Sequence, residues 1–150
     1  MVTLRRTSSE NSDFIQLIKL LDADLAIRDG EDHAFYAQFN TLDHIKNVVI
    51  AYGNSSAIGC GAIKMYNHET MEVKRMFTRQ ENRQEGVGSM ILGELEQWTK
   101  ELGFKRCILE TGLQQPEAIA LYKKNNYLQI ENYGPYIGVE NSVCFEKLLR

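Results

Sequence analysis

The sequence predicts an α/β (α+β) domain with a mixed, mostly antiparallel central sheet of about seven strands and helices on both faces. Strand-like and helix-like segments alternate through the 150 residues in the order β-α-α-β-β-β-α-β-α-β-β. A hairpin turn, Gly53-Asn54-Ser55, joins early strands and predicts antiparallel pairing there. Amphipathic helices follow the middle strands, which predicts βαβ units.

The composition fits one domain over residues 1–150 and excludes several classes of function. Hydrophobic residues make up 43% of the chain, which is enough for one core. The net charge of −3 gives no broad basic field, so we expect no nucleic-acid partner. No apolar run resembles a signal peptide or reaches the ~20 residues of a membrane helix, which predicts a cytoplasmic protein with no membrane partner. The cysteines and histidines do not have metal-ligand spacing, so we expect no metal.

The front half is predicted to hold strands at Val2–Thr7, 45–52 and 57–66, with a helix after the first strand. Asn11 or Ser12 is the expected helix cap. The helix has an apolar stripe at helical spacing: Phe14, Leu17, Ile18, Leu21 and Leu25. Residues 29–32 break this helix, and the aromatic-rich segment 33–40 is expected to form a short one.

The back half is predicted to add strands at 71–78, 106–111, 127–131 and Ser142–Leu148. A helix between the first two has one apolar face: Ile91, Leu95, Trp98 and Leu102. Gly103 is placed to end it in a left-handed cap. Pro116 suits the first turn of another helix, running to about residue 125.

The most informative motif is the glycine-containing run Arg83-Gln84-Glu85-Gly86-Val87-Gly88. It follows the strand-like stretch 72–78 and begins an amphipathic helix. Bare amides and the positive end of the helix dipole can hold a phosphate or pyrophosphate there, and Arg83 can add a charged fork. The alternative is an ordinary strand-to-helix turn that needs glycine for its dihedral angles.

The spacing Arg-x-x-Gly-x-Gly resembles the acyl-CoA pyrophosphate loop of the GNAT superfamily of N-acyltransferases. A second segment resembles the Ala-x-x-Leu-Tyr helix of that superfamily: Pro116-Glu-Ala-Ile-Ala-Leu-Tyr122-Lys-Lys-Asn-Asn-Tyr127. The order of elements is similar to the GNAT fold over nearly the whole chain. The sequence departs from the family pattern at four positions: Gln80 and Gln84 for Pro and Gly, Gln115 for Asn, and Asn126 for Gly.

The resemblance implies acetyl-CoA as co-substrate. The pantetheine arm would add to the strand edge at 76–78, and the pyrophosphate would bind the amides at 86–89. Lys123 or Lys124 would reach the ribose 3′-phosphate, the alternative being a solvated helix end. The predicted cofactor residues are Met76, Phe77, Thr78, Arg83, Gln84, Gly86, Val87, Gly88, Ser89, Gln115 and Lys124.

Acyl transfer to an alkylamine, whose pKa is near ~10.4, needs a general base, and the leaving thiolate needs an acid. The resemblance implies Glu72 as the base. The alternative is a solvated strand charge paired with Lys64 or Lys74. It also implies Tyr122 as the acid near the thioester sulfur, the alternative being a packed helix tyrosine.

The acceptor is expected to bind in the region after the first helix. Acidic and aromatic residues such as Asp32 and Phe35 are crowded there together with Gln38, and Tyr133 is expected to close the other side. This mixture suits a cationic amine, although the aromatics can equally pack a lid against the core. The predicted acceptor residues are Glu31, His33, Tyr36, Arg75 and Tyr136. Arg75 is either a substrate ligand or a structural partner of Glu110.

These residues predict an N-acetyltransferase that moves an acetyl group from acetyl-CoA to a primary amine by direct attack in a ternary complex. The acceptor is a small-molecule or peptide amine. Cys60 or Cys107 as covalent acyl carrier would need an activating histidine. The main alternative is a non-catalytic acyl-CoA sensor, and a weaker one is a mononucleotide-binding domain, which the absence of a Gly-Lys-Ser/Thr loop opposes. Dimers are common in similar proteins, so a homodimer is left open.

Overall fold

The computed structural model describes residues 1–37 and 45–150, and Gln38 and the predicted helix end at residue 40 lie outside them. The strands are β1 Val2–Thr7, β2 Asn47–Gly53, β3 Ser56–Asn67, β4 Thr70–Thr78, β5 Arg106–Gly112, β6 Leu128–Ile130 and β7 Ser142–Leu148. The helices are α1 Ser12–Asp29, α2 His33–Ala37, α3 Val87–Glu101 and α4 Pro116–Lys124.

One sheet contains all seven of these strands in the order β1-β2-β3-β4-β5-β7-β6. Only β4 and β5 pair in parallel; the other five neighbouring pairs are antiparallel. The predicted fold class, a mixed and mostly antiparallel sheet with helices, is therefore confirmed.

The pairing of β4 with β5 is short. It runs from Thr70 opposite Arg106 to Glu72 opposite Ile108 and stops there. Just beyond, the register between β3 and β4 shifts, and Arg75 adopts a left-handed φ of 59°, as expected for a β-bulge. The strands diverge, and within the described residues no strand pairs with β4 on this side after Glu72.

The helix α1 covers one face of the sheet. The Oδ1 atom of Asn11 accepts hydrogen bonds from the amides of Asp13 and Phe14, so Asn11 is the predicted cap. Four residues of the predicted stripe are buried against β2 and β3: Phe14, Leu17, Ile18 and Leu21. The helix ends at Asp29, and a 3₁₀ turn, Gly30–Asp32, follows where a break was predicted.

The helix α3 covers the opposite face of the sheet, and the prediction that Leu102 belongs to its apolar face is wrong. Ile91 and Leu95 are fully buried, but Leu102 is 45% exposed. The helix ends at Glu101, so Leu102 lies past its end and does not follow the buried row. Gly103 has a φ of 89° and Asn126 a φ of 71°, which confirms the left-handed residues expected after α3 and α4.

Among the described residues, no helix combines the length and the apolar character needed to cross a membrane. In the same part of the chain, no group of three His, Cys, Asp or Glu side chains is arranged to hold a metal ion.

Candidate active site

A cavity of about 1030 Å³ lies where β4 and β5 diverge. Its walls come from residues 73–78 of β4 and 110–112 of β5. The C-terminal half of α1, Tyr36 of α2, much of the loop between β4 and α3, the start of α3 and one side of α4 add to the lining. The early end of the β4–β5 pairing therefore creates the space between the two helical layers.

All eleven residues predicted to contact the cofactor line this one cavity: Met76, Phe77, Thr78, Arg83, Gln84, Gly86, Val87, Gly88, Ser89, Gln115 and Lys124. Nine of them lie in the continuous segment 76–89, which spans the end of β4, the loop and the start of α3, and the other two, Gln115 and Lys124, lie at the two ends of α4. The structure thus brings the predicted set to one surface.

The start of α3 is open at this surface. Gly86 precedes the helix with a left-handed φ of 82°, and no side chain among the described residues caps the helix. The first amides of a helix have no partner within the helix, so those at 86–89 are available at the cavity wall. The two alternatives given for this loop are compatible. The turn needs glycine for its left-handed φ, and the same turn leaves the first amides of α3 at the cavity wall, where an anion can bind.

Arg83 ties the loop to its surroundings. Its Nε donates a hydrogen bond of 3.0 Å to the carbonyl oxygen of Thr78 at the end of β4. Its Nη2 lies 3.9 Å from Oδ2 of Asp24 on α1. The guanidinium is therefore held beside the helix start.

Tyr122 lines the cavity from α4 and is 6% exposed. Its ring packs edge-on against Tyr127 and tilted against Phe145. Burial raises the pKa of its phenol, helped by the nearby charge of Glu110, so the hydroxyl stays protonated at neutral pH. Tyr122 is therefore both a packed helix residue and part of the cavity wall, so the two alternatives given for it do not exclude each other.

Glu72 does not lie on the described lining of the cavity. It occupies the last paired position between β4 and β5, below the point of divergence. The hydroxyl of Tyr133 donates a hydrogen bond of 2.6 Å to Glu72 Oε2, and Lys74 Nζ lies 3.5 Å from Oε1. Both carboxylate oxygens are thus engaged, as in the structural alternative that names Lys74.

Glu110 is a carboxylate at the cavity that the sequence reasoning did not assign to catalysis. It lies on β5, two residues beyond the last pairing with β4. Burial raises its pKa to about 7, against the opposing effect of a hydrogen bond from Ser142. The signal in the sequence was a single acid in the apolar strand run Cys107-Ile-Leu-Glu-Thr111.

Ser142 links Glu110 to Tyr36 of α2. The Ser142 hydroxyl donates to Glu110 Oε2 at 2.7 Å, and the Tyr36 hydroxyl lies 2.8 Å from Ser142 Oγ. Because the single proton of Ser142 points at Glu110, Tyr36 donates to Ser142. Glu110 and Tyr36 both line the cavity, so the two ends of this chain of hydrogen bonds lie at the cavity, and Ser142 joins them from outside the described lining.

The residues predicted to bind the acceptor fall into two groups, according to whether they line the cavity. Tyr36 and Arg75 line the cavity, whereas Glu31, His33 and Tyr136 do not lie on the described lining. Tyr136 is buried, with its ring centroid 5.8 Å from that of Tyr133.

Arg75 pairs with Asp22 of α1, through Nη2 and Oδ1 at 2.7 Å, and not with Glu110. Its side chain is only 1% exposed, and its Nε and Nη1 are buried without a hydrogen-bond partner among the described residues. A role as structural anchor between the bulge of β4 and α1 therefore has direct contacts to support it, and a role as substrate ligand does not.

The cysteines have little nucleophilic character. All three are free and buried. Burial raises the pKa of Cys60 to about 12 and that of Cys107 to about 11, and neither lies on the described cavity lining. A covalent acyl carrier has no support in this geometry.

The sequence model of the Acetyltransferase (GNAT) family matches residues 14–127. The chain belongs to the GNAT family. This GNAT chain is an acyl-CoA-dependent N-acyltransferase, which confirms the resemblance and the enzyme class predicted from its motifs.

Three proteins that are similar to this GNAT domain each match at least 99% of its length. It is 30% identical to the IAA acetyltransferase of Azospirillum brasilense, over 99% of this chain and 98% of that one. A Klebsiella pneumoniae protein assigned to the acyl-CoA N-acyltransferases is 28% identical, with a TM-score of 0.84 over 100% of this chain and 99% of its own. A GNAT family acetyltransferase of Elizabethkingia anophelis, solved with acetyl-CoA bound, shares the fold at 16% identity, with a TM-score of 0.68 over 99% and 98% of the two chains.

Proposed function

We propose that this GNAT enzyme transfers an acetyl group from acetyl-CoA to a primary amine by direct attack in a ternary complex. The observation that carries the proposal is one cavity with three features. It joins the open amides at the start of α3, the carboxylate of Glu110 and the protonated phenol of Tyr122.

The cofactor would bind along the side of the cavity formed by β4 and α3. The diphosphate fits the amides at 86–89, and Arg83 and Lys124 add positive charge at the same wall. The unpaired edge at 76–78 suits the pantetheine arm by strand addition. The acetyl-CoA complex of the Elizabethkingia protein, which has the same fold, supports this cofactor.

Glu110 is the base that the geometry favours. A carboxylate whose pKa is about 7 is largely ionised just above neutrality and accepts a proton from the acceptor ammonium. The freed amine attacks the thioester carbon, and the carbon–sulfur bond breaks as the tetrahedral intermediate collapses. Tyr122 gives its proton to the departing thiolate and regains one from the acylated nitrogen. Glu72 remains the alternative base, with its carboxylate engaged by Tyr133 and Lys74.

Two measurements test the proposal. Acetyl-CoA should raise the melting temperature by mass-action binding, and purified enzyme should release thiol with at least one amine of a broad panel. The sensor alternative expects the thermal shift without thiol release from any amine. The absence of a shift at millimolar acetyl-CoA would contradict both. That no metal is needed and that the protein is cytoplasmic stay predictions, and a homodimer stays open.

A further inference from the structure

Asp29 is a second carboxylate at the cavity, and the reaction above does not use it. It is the last residue of α1, is 8% exposed and lines the cavity. Within residues 1–37 and 45–150, its carboxylate makes no hydrogen bond or ion pair. Its carboxylate oxygens are not completely buried, so a ligand in the cavity can reach them.

The position of Asp29 is costly for the folded protein. Burial raises the pKa of its carboxyl group, and the charges of Asp32 and Asp24 act in the same direction. His33 favours the ionised form, but its buried Nδ1 has no hydrogen-bond partner among the described residues. A negative charge at a helix C-terminus also opposes the helix dipole. A buried, unpaired acid in such a place indicates a function that needs it.

Each cation at this part of the cavity already has at least one carboxylate partner. Arg28 binds Asp24 at 3.1 Å and also contacts Glu117. The other two are Arg75, paired with Asp22 at 2.7 Å, and Lys74, 3.5 Å from Glu72. Among the described residues no cation lies within ion-pair distance of Asp29 or Glu110; Lys74 acts on Glu110, and His33 on Asp29, only at longer range.

Asp29 and Glu110 act on the same space. Asp29 Oδ1 lies 3.9 Å from the place that a Cβ atom on Gly112 would take. Gly112 is two residues after Glu110 on β5, and residues two apart on a strand share a face. Asp29 contributes to the raised pKa of Glu110, which shows that the two carboxylates interact electrostatically. One proton-accepting carboxylate and one carboxylate that has no partner in the described part of the chain thus lie on the same side of the cavity.

We propose that Asp29 binds a second cationic group of the acceptor, so that the preferred acceptors are diamines or longer polyamines. This inference rests on the proposed function, in which Glu110 serves the reacting nitrogen. An ammonium beside Asp29 would replace the missing counter-charge and relieve the repulsion between the two carboxylates. A monoamine of the same length reaches Glu110 but leaves Asp29 unpaired.

The test compares α,ω-diamines of three to six carbons with 1-aminoalkanes of the same lengths, using released thiol to measure kcat and KM. The intact enzyme should favour the best diamine over its monoamine by about 10- to 100-fold in kcat/KM, the range of a charge-assisted hydrogen bond. Both amines are compared at a pH above the acid limb of each protein, because the loss of Asp29 also lowers the pKa of Glu110. Under those conditions Asp29→Asn should abolish the preference for the diamine, mainly through the KM of the diamine. Equal use of diamine and monoamine by the intact enzyme, or an equal loss for both in Asp29→Asn, would overturn the inference.

Two further measurements keep the outcomes separate. Glu10→Gln removes the same charge at an exposed residue outside the cavity and should retain the diamine preference. Calorimetric titration of 1,4-diaminobutane into the acetyl-CoA-free protein should give binding that Asp29→Asn weakens at least tenfold, and equal binding would contradict the role of Asp29 without any turnover. If acetyl-CoA does not raise the melting temperature of the intact protein, the proposed function itself is contradicted, whatever the role of Asp29.

Discussion

Ser142 fixes one oxygen of Glu110, because its hydroxyl donates a hydrogen bond of 2.7 Å to Glu110 Oε2. This bond favours the ionised carboxylate and opposes the effect of burial. The same serine accepts a hydrogen bond from Tyr36, so its rotation is restricted from both sides. The proton affinity of the proposed base therefore depends on a residue from β7, the strand next to it.

Ser142→Ala should raise the pKa of Glu110 above about 7 by removing the hydrogen bond that stabilises the carboxylate. The base must be ionised to act, so the acid limb of the pH profile of kcat/KM should move to higher pH by about one unit. Tyr36→Phe leaves the Ser142–Glu110 bond in place and should shift the limb less. An unchanged midpoint in Ser142→Ala would show that Glu110 does not control that limb.

Glu110→Gln should stabilise the protein at pH 8 but not at pH 4. The pKa of Glu110 in the folded protein is about 7, above the ordinary value of 4.5. Below the ordinary value the acid is protonated in both states. Between pH 4.5 and about 7 the acid ionises in the unfolded chain but not in the folded protein, so the intact protein loses stability across this window. The difference in the free energy of unfolding should reach about 3 kcal/mol at most above pH 7, measured by urea denaturation. A constant difference across pH would contradict the burial of this charge.

Glu110→Gln and Glu72→Gln should have unequal effects on turnover. Loss of a general base typically costs 10²- to 10⁴-fold, and we expect a loss in this range for Glu110→Gln at pH 7. The loss should shrink at high pH as the amine loses its proton unaided. Glu72→Gln should cost less, since its carboxylate contacts Tyr133 and Lys74 below the cavity. A larger and pH-dependent loss in Glu72→Gln would restore Glu72 as the base.

Features of the fold that depend on neighbouring residues could be predicted from the sequence. The cap at Asn11 and the left-handed Gly103 and Asn126 depend on neighbouring residues, and the structure confirms them. The cofactor surface could be predicted because a motif places most of it in one segment. Glu110 could not be chosen over Glu72, since the choice depends on where the pairing of β4 and β5 ends.

Asp29 was missed for a related reason. In the sequence it is the first residue of a polar helix-breaking segment, which is typical of solvent exposure. In the folded chain its Oδ1 lies 3.9 Å from the place that a Cβ atom on Gly112 of β5 would take, 83 residues later in the sequence. Contacts at that separation leave no periodic or local signal.

Gly86→Ala and Gly93→Ala form a matched pair that tests the start of α3. An alanine at either position meets no atom within 4 Å, so sterics do not separate the two. Gly86 has a φ of 82°, which costs an alanine roughly 1–2 kcal/mol, whereas Gly93 lies inside the helix, where alanine gains roughly 0.5–1 kcal/mol. Gly86→Ala should therefore lower the melting temperature, reorient the amides at 86–89 and raise the Kd for acetyl-CoA at least tenfold. Gly93→Ala should raise the melting temperature and leave that Kd unchanged, both measured by thermal shift and calorimetry. Equal acetyl-CoA affinity in the two variants would mean that these amides do not hold the diphosphate.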